Sequence, residues 1–130
     1  MSRWAAVAAD AVLVLVFVLI GRRTHDDPLA LAGVARTAWP FLAGLAVGWA
    51  VTLLGAPRGR EDAGPARPRG WLAAGVTVWA ATVIVGMLLR AASGQGTAAS
   101  FVVVATVVLG ALLVGWRLVA ALTGRRRFVT

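Results

Sequence analysis

Four long apolar runs decide what this chain can fold into: residues 4–21, 37–55, 71–89 and 98–122. Each has about 18 to 25 residues, enough for a helix rising about 1.5 Å per residue to cross roughly 30 Å of hydrocarbon. Hydrocarbon offers no water to a free N–H or C=O, so each run must be a helix. The high valine content, which would favour strands in water, does not change this. The alternative of a water-soluble globule fails on composition. The chain has 130 residues, 60% of them hydrophobic, against about 45–50% in a soluble domain, and a domain this small cannot hide that much apolar surface. Short spacers make sequential neighbours antiparallel. The expected fold is an all-α membrane protein, a single domain over residues 1–130 with four transmembrane helices in an up-down antiparallel bundle.

Charge sets the orientation. All 13 basic residues are arginine, against 5 acidic residues, for a net charge of +8. All the arginines but Arg117 lie outside the apolar runs, where lipid headgroups and insertion polarity select positive charge, so nucleic acid is not an expected partner. One side collects Arg3, the loop arginines 58, 60, 67 and 69, and the tail arginines 125, 126 and 127. The other collects Arg22, Arg23, Arg36 and Arg90. The positive-inside bias therefore puts both termini, loop 56–70 and the basic tail 124–130 in the cytoplasm of a multi-pass plasma-membrane protein. Gly21-Arg22-Arg23 stands where a signal peptide would need a cleavage site, so the first run is read as a retained span. Arginine without lysine, with abundant Ala, Gly and Val, fits a high-GC, actinobacterial-like genome and says nothing about activity. There is no cysteine, which excludes disulfides, thiolate metal sites and cysteine nucleophiles.

The boundaries carry helix punctuation. Asp27-Pro28 reads as an N-cap with proline at the first helical position, so a helix should start in the first loop and run into the second span, with a tilt, an interfacial segment or a kink near Pro40. Thr97 is the expected cap of the fourth helix, after the turn at 93–96. Trp4, Trp49, Trp71 and Trp116 fall toward the cytoplasmic ends of their spans and Trp39 toward the outer end, as interfacial belts require. Trp79 lies too deep for a belt, and its indole N–H should find a carbonyl or hydroxyl in the bundle core.

Ionisable groups inside hydrocarbon cost roughly 2.5 to 3.5 kcal/mol each even on lenient scales. Asp10 in the first span and Arg117 in the fourth are the two that lie clearly inside. Antiparallel spans bring them to similar depth, so an intramembrane ion pair is expected. It would fix packing and register; a transport or proton-coupling role, or separate snorkelling to the interface, are the alternatives. A second polar group gathers on the outer side: Arg22, Arg23, His25, Asp26 and Asp27 in the first loop, with Arg90, Gln95, Thr97 and Ser100 near the third turn. Facing two helix N-termini, these residues are the raw material of an anion-binding mouth, and equally of a solvated loop. Arg22, His25, Arg90 and Thr97 are expected to converge there, with His25 the group whose charge changes near neutral pH. His25 with adjacent carboxylates lacks the spacing of a metal site, so no metal or cofactor is expected. No catalytic motif is present and no catalytic residue is assigned. Gly44 and Gly48 form a small-xxx-small pair suited to close helix packing within the subunit.

Several runs combine polar residues at fixed places that hydropathy alone does not demand: Ala8-Ala9-Asp10-Ala11, Gly21-Arg22-Arg23-Thr24-His25, Thr37-Ala38-Trp39-Pro40-Phe41-Leu42-Ala43-Gly44, and Leu89-Arg90-Ala91-Ala92-Ser93-Gly94-Gln95-Gly96-Thr97. In these the chain resembles a family of small bacterial and archaeal membrane proteins catalogued as domain of unknown function 3054. The resemblance covers all four spans and omits most of loop 56–70 and the tail. It implies architecture and assigns no reaction. The functional expectation is a non-enzymatic membrane protein acting as a homo-oligomer or as a small subunit or partner in a membrane assembly. The rivals are a small transporter or channel with an outer polar mouth and, third, an intramembrane enzyme. The expected partners are the lipid bilayer and either further copies of the chain or another membrane protein; any small-molecule ligand is unidentified.

Overall fold

The computed structural model describes residues 2–23, 27, 29–55 and 68–129. They form four helices: α1 (Arg3–Arg22), α2 (Leu31–Gly55), α3 (Pro68–Ala92) and α4 (Ala99–Val129). Each contains a stretch long and apolar enough to cross a membrane. Each helix packs on its neighbour in sequence, and α1 also packs on α4, closing a ring in which α2–α3 is the most extensive contact and α1–α4 the least.

Each helix turns one stripe inward at helical spacing. In α1 the buried positions are Ala6, Asp10, Val14, Phe17 and Val18, and in α4 Ala105, Leu109, Leu113 and Arg117, the i, i+3, i+4 rhythm of a packed helix face. Large apolar side chains such as Ile84, Leu88, Val103, Val107 and Val119 point outward, as a surface solvated by lipid tails requires. Threonine is tolerated in this setting because its hydroxyl bonds back to the carbonyl one turn earlier, as Thr82 does to Val78 and Thr106 to Val102.

Glycine sets the α2–α3 distance. A Cβ at Gly44 would lie 2.9 Å from the Cα and carbonyl oxygen of Thr82, and one at Gly48 would lie 2.9 Å from the Cα of Val78. Backbone meets backbone here, the contact that small residues permit in lipid. On α4, Gly110 leaves room for the ring of Trp79, whose indole N–H donates to the Thr106 carbonyl at 2.9 Å.

The helix ends correct several expectations. Ser2 caps α1 by accepting from the Ala5 N–H at 3.1 Å. The second helix starts at Leu31, not at Pro28: the Asp27 carbonyl accepts from Ala30 N–H in a turn, and the first helical bond runs from Val34 to the Ala30 carbonyl. It also extends six residues ahead of the expected start of its span at 37. Proline does not break it, since α2 runs unbroken through Pro40. The third helix outruns 71–89 at both ends. The fourth starts at Ala99, where the Ala98 carbonyl accepts from Val102 N–H, so Thr97 stands one residue too early to be its cap. It continues to Val129, so the basic segment expected as a tail is helical backbone.

Candidate functional site

The most heavily bonded polar cluster joins all four helices around Asp10. Arg117 Nη1 and Nη2 lie 2.7 Å from Asp10 Oδ1 and Oδ2, a two-pronged guanidinium–carboxylate pair with both side chains 0% exposed. Two indoles complete the carboxylate: Trp116 Nε1 donates to Oδ1 and Trp49 Nε1 to Oδ2, each at 2.8 Å. Each oxygen thus accepts two hydrogen bonds, filling the roughly four lone-pair sites a carboxylate offers. On the cationic side, Arg117 Nη1 also donates to the Leu113 carbonyl at 2.9 Å. Its guanidinium carbon lies 5.0, 5.1 and 5.8 Å from the ring centres of Trp116, Trp71 and Trp49, within reach of cation–π attraction. Trp71 meets Trp116 edge to face at 5.1 Å and donates its N–H to the Arg117 carbonyl at 2.9 Å.

Local sequence makes room for this cluster. Asp10 and Arg117 occupy inward positions of their helical stripes, and the arginine stem lies over Gly75, where a Cβ would sit 2.5 Å from Arg117 Cδ. Arg117 Nε is the buried side-chain nitrogen without a hydrogen-bond partner among the described residues. The carboxylate, by contrast, is saturated. All four acceptor positions of Asp10 are used, and no second carboxylate joins the cluster among the described residues.

A second cluster forms where α3 turns into α4. Arg90 donates from Nε and Nη2 to the Gly96 carbonyl at 3.0 and 2.8 Å and from Nη1 to Gln95 Oε1 at 3.0 Å, while its guanidinium stacks 4.3 Å above Phe101. Phe101 joins Phe17 and Phe41, which meet edge to face at 5.3 Å, in an aromatic layer beneath. Gly94, at φ +78°, supplies the left-handed residue of the turn. Gln95 then reaches across the bundle, donating from Nε2 to the Arg36 carbonyl at 3.0 Å. That carbonyl is the one Pro40 cannot serve, because a proline four residues on has no N–H. Gln95 replaces the missing helical donor.

The structure brings some of the candidate residues together and separates others. Asp10 meets Arg117, Gln95 meets Arg90, and Gly44 and Gly48 face α3. Arg22, at the end of α1, donates from Nη1 to Thr37 Oγ1 on α2 and from Nη2 to the Asp27 carbonyl in the loop, both at 3.3 Å, over Gly33 of α2, where a Cβ would collide with its guanidinium. Among the described residues, Arg22 and Arg90 thus take different partners. Arg23, Asp27 and Thr97 are exposed; His25 and Asp26 lie outside the described residues. Three tryptophans assigned to an interfacial belt are instead core: Trp49 and Trp71 are buried and Trp116 half-buried, their N–H groups turned inward. A buried carboxylate outbids the interface for indole donors, leaving Trp4 and Trp39 exposed. The carbonyl left open by Pro40 was a legible signal for a partner, although not for which residue supplies it.

Neither the curated proteins nor the solved structures include a match to the chain. A family model described as "protein of unknown function" matches residues 7–120, the stretch that holds Asp10, Pro40, Arg90, Gln95 and Arg117. The chain therefore belongs to that family, domain of unknown function 3054.

Proposed function

We propose that this protein is a non-enzymatic, multi-pass plasma-membrane protein that acts as a homo-oligomer or as a small subunit in a membrane assembly. Its helices run up and down, with both termini in the cytoplasm. The observation that carries the reading is the saturation of Asp10: four donors fill the carboxylate, and both partners of the ion pair are inaccessible. A group so committed serves register and packing. Transport along a path through the bundle would call for an intramembrane charge free to change partners.

The other polar end supports the same reading. Arg90 and Gln95 close on the turn that carries them and on the Arg36 carbonyl, which makes them a lid. An anion-binding mouth would instead have Arg22 and Arg90 share one ligand. The up-down arrangement is supported by Asp10 near the start of α1, Trp49 near the end of α2, Trp71 at the start of α3 and Arg117 late in α4 meeting at one depth.

The test is purification of the tagged protein from its native membrane in mild detergent, with native mass analysis of everything that accompanies it. Extra copies of the chain or a stoichiometric membrane protein are expected. A lone monomer would overturn the reading.

A further inference from the structure

The Asp10 cluster has the composition of a cation receptor. A carboxylate held by two indole donors holds a planar guanidinium, whose central carbon lies over the rings of three tryptophans. All the side-chain hydrogen bonds of Arg117 are made by Nη1 and Nη2, the atoms a free guanidinium ion also possesses. The Nε that joins the head to its stem bonds to nothing among the described residues. The cage thus recognises the head and ignores the tether. The stem passes over Gly75, which adds room but no polar contact. Arg117 also stands five residues before Leu122, close enough to the end of the span for a long side chain to carry its charge to the headgroups.

The geometry points to a cation-binding site, built from Asp10, Trp49, Trp71 and Trp116, which the chain fills with its own Arg117 and which accepts a free guanidinium-type cation when Arg117 leaves. The ligand class follows from the contacts. A planar head with two parallel N–H pairs matches the carboxylate, and a delocalised, weakly hydrated charge suits the aromatic walls. An ammonium ion satisfies the charge but not the fork. Arg117 is held as a ligand is held, by its end. Tethering keeps its local concentration high, so the native protein resists displacement. This inference is independent of whether the protein has partners.

The experiment is calorimetric titration of guanidinium chloride into the full-length protein in nanodiscs, with matched sodium chloride as the blank. Arg117→Ala should bind guanidinium saturably in the millimolar range, the affinity open to so small a ligand, and its thermal midpoint should rise as the site fills. Asp10→Asn in the same background should abolish both effects. The native protein should show no saturable heat at those concentrations. Arg117→Lys retains a tethered cation and keeps the comparison available if Arg117→Ala does not fold; guanidinium should displace the lysine with a midpoint about tenfold higher than for an empty cage. Absence of saturable binding in whichever of the two variants folds would overturn the proposal. So would equal binding by the native protein, or binding that survives Asp10→Asn.

Discussion

Removing either partner of the Asp10–Arg117 pair should be among the most damaging single changes in the bundle. Asp10→Ala strips Arg117 of its counter-ion and leaves the indole N–H groups of Trp49 and Trp116 without acceptors. Breaking a buried pair from one side costs about 3–5 kcal/mol, while couplings between polar groups in membrane bundles average about 0.6 and reach about 1.7 kcal/mol. This pair belongs at or above the top of the membrane range, since it is charged, two-pronged and 0% exposed on both sides. Snorkelling of the freed Arg117 pulls the other way and trims the single-mutant cost toward its lower limit. We expect about 3 kcal/mol for Asp10→Ala, about the same for Arg117→Ala, and about 4 for the double mutant, a coupling of about 2 kcal/mol or roughly 30-fold in the folding equilibrium. Reversible unfolding in mixed micelles, followed by circular dichroism, measures all four corners of the cycle. Additive losses, with a coupling at or below about 0.6 kcal/mol, would refute the assignment of this contact as the lock between α1 and α4.

Other consequences are independent of that cycle. Cysteines at Ala63 and at Thr130 should resist a membrane-impermeant maleimide in intact cells while those at Thr24 and Gly94 react; the reverse pattern would invert the topology. Gly44→Ala should cost about 1–3 kcal/mol, because the new methyl meets the Thr82 backbone and not a movable side chain; an unchanged unfolding midpoint would show that α2 and α3 can part cheaply. Gln95→Ala should destabilise by about 1 kcal/mol in the native background and by almost nothing beside Pro40→Ala, where residue 40 regains an N–H for the Arg36 carbonyl. Equal losses in both backgrounds would mean that Gln95 acts through its bonds to Arg90 instead.

The spans were legible because lipid leaves a chain few options: length and polarity alone identify four helices, and the deep charges Asp10 and Arg117 stand out as costs that need a partner. The aromatic positions were not read correctly. A tryptophan near the end of a span satisfies an interfacial belt and an inward hydrogen bond equally well, and the sequence position of Trp49, Trp71 or Trp116 does not say which way the ring turns. Burial of a carboxylate at the same depth decides it, and that burial is tertiary. Helix starts failed for a related reason. Asp27-Pro28 and Thr97 carry good local capping chemistry, yet the carbonyls of Asp27 and Gly96 are drawn to Arg22 and Arg90, and each helix begins after its loop has been tied.

The two polar clusters solve different problems, and together they locate where activity can reside. At the Arg90 end the problem is backbone: a turn with a left-handed glycine and a proline-orphaned carbonyl are both closed by side chains from one loop. At the Asp10 end the problem is the side chains themselves, two charges that the membrane would not accept singly. The first cluster closes the bundle; the second ties its least extensive contact, α1 to α4, across the ring. Both ends are tied in this way, and between them α2 and α3 are fitted backbone to backbone at Gly44 and Gly48. On the reading proposed above, encounters with other molecules fall to the lipid-facing helix surfaces, where Ile84, Leu88, Val103, Val107 and Val119 are exposed.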